Sequence, residues 1–358
     1  MSRSVWLRHD EDRAESQNDA TTCFHSCRGF ASVDRMPPAS FEQVFGAHYA
    51  AIRRILGAHS EPGLALLVAS VDGIEASAWV KAEADGINPL IIGRHNAAEI
   101  FLPSDPALSL RHLAVILQRR GSGAVRFRVL DLRTATAFED EQGRRLEALE
   151  STGPTLLRCA SFCLLLFPTG EPGEPWPEDS AEGWRRLPAR VYLESTSADP
   201  ERWAHPGDRA ELRLPEPIAD GSQSTTYVSF PGPVFPSPFL TDAPSPMPPD
   251  AGPARGEILL ASRGGRAALR LGKETARQGI LLGRYERCDG GGLWLLSNPK
   301  LSRVHLLILE VGATLCAIDT ASRNGSRMGE GRIHHARLEP GRPITLAGDV
   351  SVEWHPFH

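Results

Sequence analysis

The chain of 358 residues lacks the features that mark several common protein classes. It has no run of about 18 apolar residues, and its first residues are polar and acidic where a secretion signal needs an apolar stretch. We therefore predict a cytoplasmic protein. Of its 39 basic residues only Lys81, Lys273 and Lys300 are lysines, so arginine carries nearly all the positive charge and one arginine alone is weak evidence for an anion site.

Motifs for catalysis and for metal binding are also missing. There is no Gly-x-Ser-x-Gly, no glycine-rich P-loop with a lysine, and no pair of metal ligands spaced for one helix face. His334 and His335 are neighbours, so on a strand they would point to opposite faces. Cys23, His25 and Cys27 lie close together but would need further ligands to bind a metal ion. We predict no enzymatic activity, no cofactor and no metal.

Proline and glycine are abundant, with 29 and 33 residues. Residues 171–255 contain 17 of the prolines together with 14 acidic residues and seven arginines, a net charge of −7, which is typical of a linker. Residues 256–358 contain 14 basic and 10 acidic residues, a net charge of +4. That excess suits an anionic ligand but is too small to indicate nucleic acid, and we expect no membrane partner.

The rest of the chain divides by its apolar pattern. Residues 1–39 are polar without periodicity and are predicted to be disordered. Residues 40–58 predict one amphipathic helix that begins with a capping box at Ser40 and Gln43. This helix could dock on the first β-rich region or pair with a partner, and we favour docking. Residues 63–170 and 256–358 have short apolar runs between Gly, Asp and Asn turns, so we predict an all-β fold with two β-sandwiches.

Both β-rich regions carry the same sparse set of polar residues, about 190 residues apart. Each copy has a Gly-Arg pair, then Ser-x-x-His, then a turn that follows an aspartate. The first copy reads Gly93-Arg94, Ser109-Leu110-Arg111-His112 and Asp131 with Thr134; the second reads Gly283-Arg284, Ser302-Arg303-Val304-His305 and Asp319 followed by Ser322-Arg323-Asn324-Gly325-Ser326. This repeat predicts a duplicated domain.

The repeated side chains suit a phosphorylated ligand. A phosphate on threonine carries a charge of about −1.5 to −2 and three acceptor oxygens, so it needs a guanidinium fork and short neutral donors. Arg284 and Ser302 supply these groups, and Gly283 is expected to let the backbone turn before Arg284. The amide of Asn324 can bond the backbone of an extended peptide, and Gly325 permits a positive φ in the turn.

In order and spacing, the second copy resembles the forkhead-associated (FHA) domain family, and the whole chain resembles bacterial tandem FHA proteins. The resemblance implies β-sandwiches of the SMAD/FHA type, joined by the proline-rich linker, that bind phosphothreonine peptides through loops at one end. It implies phosphopeptide contacts for Arg284, Ser302, Ser322 and Asn324. Arg303 and Arg323 flank these residues and either contact phosphate or acidic peptide residues or are solvated surface arginines. The resemblance also implies that Gly283, His305 and Gly325 support the site.

The first copy differs in its third loop. Aligning Asp131 with Asp319 places Thr136 where the second copy has Asn324, so the amide that would hold a peptide is missing. Phe138 then replaces Ser326 and is expected to fill a shallow groove. We predict a degenerate FHA-like domain used for packing, dimerisation or a non-phosphorylated partner. Four retained residues leave a residual phosphate site in that domain possible: Arg94, Ser109, His112 and Thr134.

Taken together, these features predict a signalling adaptor that binds a phosphothreonine-containing protein, either a Ser/Thr kinase or its substrate. The alternative is a phospho-independent scaffold or assembly protein that uses both sandwiches for protein contacts. Thr225, Thr226 and Thr241 lie in the predicted linker, and if phosphorylated they could occupy the Arg284 site from within the chain. Peptide specificity and oligomeric state are left open.

Overall fold

A computed structural model describes residues 39–84, 86–119, 124–170, 176–188, 190, 192–197, 225–230, 254–263, 265–285, 287–289 and 293–357. The predictions for residues 1–38, with the Cys23, His25 and Cys27 group, and for Thr241 lie outside these ranges. Strands make up most of the described regular structure, which confirms the all-β prediction.

The described chain has four helices and 22 strands. The helices are α1 (Phe41–Ala47), α2 (Tyr49–Ala58), α3 (Ser180–Arg186) and α4 (Lys273–Gln278). The first β-rich region contains β1 (Gly63–Ala69), β2 (Ile74–Lys81), β3 (Ile87–Gly93), β4 (Ile100–Phe101), β5 (Leu113–Arg119), β6 (Val125–Asp131), β7 (Phe138–Glu139), β8 (Arg145–Ser151), β9 (Thr155–Cys159), β10 (Phe162–Thr169) and β11 (Tyr192–Ser197). The second contains β12 (Thr225–Phe230), β13 (Ala254–Ser262), β14 (Gly265–Gly272), β15 (Ile280–Leu282), β16 (Leu306–Val311), β17 (Thr314–Asp319), β18 (Ser326–Met328), β19 (Gly331–Ile333), β20 (His335–Arg337), β21 (Ile344–Leu346) and β22 (Val350–Pro356).

In the first sandwich, all strands belong to one hydrogen-bonded sheet with the order β2-β1-β10-β9-β7-β8-β6-β5-β3-β4, and β11 pairs with β8. Alternate residues of β1, such as Leu64 and Leu66, share a core with Val115 of β5 and Phe127 of β6. Because successive side chains on a strand face opposite sides, this core lies between two stacked halves of the sheet.

The second sandwich consists of two sheets. One has the order β12-β14-β13-β22-β21-β18-β19 and the other the order β15-β16-β17-β20. Ile258 and Leu269 of the first sheet pack against Ile280 and Ile308 of the second in one buried core. The parallel pairing of β12 with β14 adds Thr225 and Thr226 to the edge of this domain.

Helices α1 and α2 lie on the outer face of the first sandwich, where Phe45 and Ile52 pack against Leu67 and Leu165. The prediction that this segment docks on the first sandwich is therefore confirmed, as is the capping box at Ser40. The prediction of one continuous helix was wrong, because His48 leaves the helical conformation between α1 and α2. Its imidazole Nε2 lies 2.6 Å from the carbonyl oxygen of Ser70, which holds the break against the sandwich.

Parts of the predicted linker belong to the folded domains. Trp176, Trp184 and Leu187 join the cluster formed by α1 and α2, and β11 extends the sheet beside β8. Residues 176–197 also contain apolar side chains, and burial of these side chains on a neighbouring surface stabilises the docked segment despite its prolines. The described stretches 176–188, 192–197 and 225–230 are thus docked rather than a free tether.

The two sandwiches pack against each other through equivalent faces. Their shared buried cluster takes matching positions from both copies: Ile91 with Leu281, Ala98 with Cys288, Ala114 with Leu307, Ile116 with Leu309, and Leu130 with Ile318. The same surface patch on both sides is the geometry of a twofold dimer interface. The two sandwiches therefore pack as an internal pseudo-twofold pair.

Candidate functional site

Three loops meet at one end of the second sandwich: the first loop (283–285), the second loop (300–305) and the third loop (320–325). The Arg284 backbone N–H donates to the Ser302 carbonyl over 3.2 Å, which joins the first and second loops. The Arg323 backbone N–H donates to Ser302 Oγ over 3.0 Å, which joins the second and third loops. Ser302 is therefore at the centre of the three loops.

Gly283 is needed for space. A Cβ at this position would lie 2.1 Å from the carbonyl oxygen of Arg303, closer than any side chain can approach. The backbone bends at Gly283, but its φ is not in the positive range, so close approach rather than a left-handed backbone requires the glycine. Gly325 does have a positive φ of 75°, as predicted, and its carbonyl accepts the Ala347 N–H.

The basic side chains of the loops face solvent. Arg284, Arg303 and Arg323 are exposed, and within the described ranges the Arg284 guanidinium has no hydrogen-bond or ion-pair partner. Ser302 is only 8% exposed; its oxygen accepts the Arg323 N–H, while no described acceptor takes its hydroxyl hydrogen. A phosphate oxygen binds to an unpaired cation and a free hydroxyl donor, and neighbouring residues of these loops supply both.

Asp319 holds the third loop in shape. Its carboxylate accepts hydrogen bonds from the Ser322 backbone N–H (2.7 Å), the Ser322 hydroxyl (2.6 Å) and the Ser326 hydroxyl (2.7 Å). All three residues are buried. The Ser322 hydroxyl, predicted as a phosphopeptide contact, therefore points inward and supports the loop, because its side chain satisfies the buried carboxylate.

His305 links the second loop to the third. Its Nδ1 accepts the Ser302 backbone N–H over 3.1 Å, so the proton of the neutral ring is on Nε2, which donates to the Gly325 carbonyl over 3.3 Å. Burial lowers the pKa of His305, although Asp319 opposes that shift. The ring is fully buried, neutral at pH 7 and out of reach of a ligand.

Asn324 is the exposed amide of the third loop. Its Nδ2 donates to the Lys300 carbonyl over 2.6 Å, so the side chain lies across the gap between the third and second loops. Its Oδ1 keeps its acceptor capacity for a backbone N–H.

The first sandwich repeats most of these contacts. The Arg94 N–H donates to the Ser109 carbonyl over 3.1 Å, and the Ser109 N–H donates to His112 Nδ1 over 3.0 Å. The hydroxyl of Thr134 donates to Asp131, as that of Ser322 does to Asp319. Arg94 differs from Arg284, because its Nε donates to the Leu108 carbonyl over 2.5 Å.

Phe138 departs from its expected place. It is completely buried in the core of the first sandwich and does not fill a surface groove. In the second sandwich the same position is Ser326, whose hydroxyl bonds Asp319. The third loop of the first sandwich is thus anchored by an apolar side chain and has no amide at Thr136.

Contacts between the domains reach the third loop of each copy. Arg287 donates to the Thr134 carbonyl over 3.2 Å, and Arg133 forms an ion pair with Asp289 at 3.1 Å. From the other side, Arg111 donates from Nε and Nη2 to the Ala321 carbonyl over 3.1 and 2.5 Å. Sequence reasoning missed Arg111, because it occupies a variable position of Ser-x-x-His and its partner is 210 residues away.

Two features are absent from the described residues. None of their helices is long and apolar enough to span a membrane. No group of three or more His, Cys, Asp or Glu among them could hold a metal ion.

No protein-family model and no curated protein matches the chain. Solved structures that it resembles include FHA-1 of Mycobacterium tuberculosis Rv1747, at 20% identity over 28% of this chain and 99% of that chain, with a TM-score of 0.23. The FHA domain of Chlamydia trachomatis CT664 is 19% identical over 28% of this chain and 99% of that chain, with a TM-score of 0.24. The yeast Dun1 FHA domain, solved with a doubly phosphorylated peptide from Rad53, is 21% identical over 32% of this chain and 84% of that chain, with a TM-score of 0.23.

Proposed function

We propose that this chain is a cytoplasmic phosphothreonine-peptide-binding adaptor and that its second sandwich holds the ligand. The observation that carries this proposal is the exposed, unpaired guanidinium of Arg284, whose backbone N–H bonds Ser302, a residue whose hydroxyl hydrogen has no acceptor in the described chain. A phosphate would receive a charge-assisted pair of hydrogen bonds from Arg284 and a short hydrogen bond from Ser302.

The remaining loop residues divide by the part of the ligand that each would bind. Arg303 and Arg323 are exposed on either side of Ser302 and add positive charge around the phosphate. Asn324 is placed to bond the peptide backbone next to the phosphothreonine, after exchanging its contact with Lys300. Gly283, His305, Gly325 and Ser322 hold the loops in position.

The first sandwich is proposed to bind phosphopeptides weakly or not at all. Its Arg94 bonds the Leu108 carbonyl, and Thr136 has no amide for a peptide backbone. Its retained set of Arg94, Ser109, His112 and Thr134 is therefore assigned to loop support, and its main role is to pack on the second sandwich.

The proposed partner is a protein phosphorylated by a Ser/Thr kinase, or the kinase itself. A more specific form of this proposal is that a phosphorylated threonine of the linker binds the Arg284 site within the same chain. Thr225 and Thr226 belong to β12, which pairs with β14. This pairing disfavours their movement to the Arg284 site, so Thr241 is the linker threonine that remains for this hypothesis. If mass spectrometry of protein from its native host finds no phosphate in residues 171–255, the hypothesis of a linker ligand is excluded.

An oriented library of phosphothreonine peptides, applied to the full chain, tests the proposal. We expect selection of phosphorylated peptides by the wild type and a loss of at least about 10-fold in affinity for Arg284→Gln, since a hydrogen bond to a charged group contributes about 1.5–3 kcal/mol. Arg255→Gln is the matched control. Arg255 forms an ion pair with Glu310, which lies at the end of β16 far from Ser302. A strand of this length separates the two ends by about 20 Å. Equal binding of phosphorylated and unphosphorylated peptides would overturn the proposal.

The alternative function, a phospho-independent scaffold, has one observation in its favour. Phe101 and Leu110 are 44% and 43% exposed beside the loops of the first sandwich, where a protein partner could cover them. This alternative requires a partner whose binding survives Arg284→Gln and is lost in the double variant Phe101→Ser with Leu110→Ser.

A further inference from the structure

Arg111 of the first sandwich is buried at the ligand end of the second. Its side chain crosses the domain interface and is only 7% exposed. Two of its nitrogens, Nε and Nη2, bond the Ala321 carbonyl, and Nη2 also lies 3.4 Å from Ser302 Oγ. The guanidinium therefore touches both the second and the third loop of the other domain.

Within the described chain Arg111 forms no salt bridge; burial lowers its pKa, and the charge of Asp319 partly opposes that shift. No carboxylate in the described chain lies within ion-pair distance of it, whereas other interface arginines are paired. Arg133, which is half-buried at the same interface, pairs with both Glu147 and Asp289. Burial of the Arg111 charge without a salt bridge is costly, so an anion bound at Arg111 would offset part of that cost, against the repulsion from Asp319.

The geometry leaves one end of Arg111 available. Nη1 has no described hydrogen-bond partner, and it is not among the buried polar atoms, so solvent reaches it. A phosphate oxygen bonded to the Ser302 hydroxyl at about 2.7 Å would lie within about 6 Å of Nη2. Burial, Arg111 and Arg323 all lower the pKa of His95, which places an imidazole of the first sandwich at the same junction.

We propose that the phosphate site is shared between the two domains, with Arg111 of the first sandwich as a phosphate-binding residue of the second. This rests on the proposed function, because Arg284 and Ser302 supply the rest of the site. The first sandwich has lost its own peptide clamp but completes the site of its neighbour. The equivalent position in the second sandwich is Val304, which is apolar, so the first sandwich receives no such charge in return.

The test uses the full chain and N-acetyl-phosphothreonine N-methylamide, a probe with a phosphate but almost no peptide. Its affinity is measured by chemical-shift titration. We expect Arg111→Gln to weaken binding at least about 10-fold and Arg111→Lys, which keeps the charge, to weaken it by less than about 3-fold. Arg133→Gln is the matched control, since it removes one interface charge of the same sign outside the proposed site; we expect a change below about 2-fold.

A second measurement reads binding in the wild-type protein and uses a variant only to assign the resonance. In the wild type, the Nε–H resonance of Arg111, assigned from its absence in Arg111→Lys, should shift on addition of the probe and not on addition of the unphosphorylated analogue. Wild-type binding that Arg284→Gln abolishes, with Arg111→Gln within 2-fold of the wild type and no Nε–H shift, would overturn the shared site and leave the proposed function standing. No binding of the probe or of library peptides by the wild type would overturn both.

Discussion

The Ser302 backbone N–H donates to Nδ1 of His305, three residues further along, over 3.1 Å. The equivalent pair in the other sandwich, Ser109 and His112, has the same bond at 3.0 Å. In each copy the buried ring fixes the turn that presents the serine. The duplication has therefore kept the support of the loop in both domains, although only one domain keeps Asn324.

Burial predicts an unusual titration for His112. Its surroundings lower its pKa to about 4, chiefly by desolvation. Since a histidine in the unfolded chain titrates near 6.5, the unfolded state takes up this proton first as the pH falls, and stability that is present above pH 6.5 is lost towards pH 4. The contribution is about 3 kcal/mol.

The measurement is urea unfolding of the wild type and of His112→Gln between pH 7 and pH 4. Burial raises the pKa of Asp131 to about 7, which gives an opposite slope in the same window, so the difference between the two proteins isolates the histidine. We expect the advantage of the wild type to shrink as the pH falls. An unchanged difference from pH 7 to pH 4 would show that His112 titrates normally.

Gly283→Ala should separate the first loop from the second. The new Cβ would lie 2.1 Å from the Arg303 carbonyl oxygen, so the backbone must move, at a cost of about 1–3 kcal/mol in stability. We expect phosphothreonine binding to fall at least about 10-fold, because charge-assisted bonds from Arg284 lose their geometry. Urea unfolding and peptide titration measure the two effects.

Gly312→Ala is the control for that variant. Gly312 has a φ of 65° with open space around it, and it lies at the far end of β16. Alanine there is strained and should cost about 1 kcal/mol without altering binding. Similar losses of binding in both variants would mean that lower stability, not displacement of the loop, is the cause.

Asn324→Ala should distinguish peptide from phosphate. The Asn324 amide in the third loop donates to the carbonyl oxygen of Lys300 in the second loop, and it is proposed to bond the peptide backbone. We expect a loss of about 3- to 10-fold in affinity for a library-selected peptide, the worth of one or two neutral hydrogen bonds, and less than about 2-fold for the capped phosphothreonine probe. Calorimetry with both ligands checks this, and equal losses for the two ligands would place Asn324 on the phosphate instead.

The ion pair between Arg133 and Asp289 should couple the stabilities of the two sandwiches. Their side chains are 15% and 11% exposed, and the pair joins residues 156 positions apart. A double-mutant cycle with Arg133→Gln and Asp289→Asn should give a coupling free energy of about 1–3 kcal/mol. Additive effects of the two substitutions would contradict the packed interface.

The sequence by itself determined the all-β fold class, and it predicted the duplication and the three loops. These follow from local rules, namely strand alternation and the turn residues after Asp131 and Asp319, whereas the close backbone approach at Gly283 came from the structure.

Only the tertiary structure decided which side chains cover the outer faces of the strands at the domain interface. It also decided which residues contact the loops at 283–285, 300–305 and 320–325. The pairing of the two sandwiches depends on how whole surfaces fit, and this has no period along the chain. Arg111 meets Ser302 because the domains pack through equivalent faces, and the Ser322 hydroxyl turns inward because Asp319 is buried there. Contacts between residues about 190 to 210 positions apart reflect packing free energy rather than local propensity.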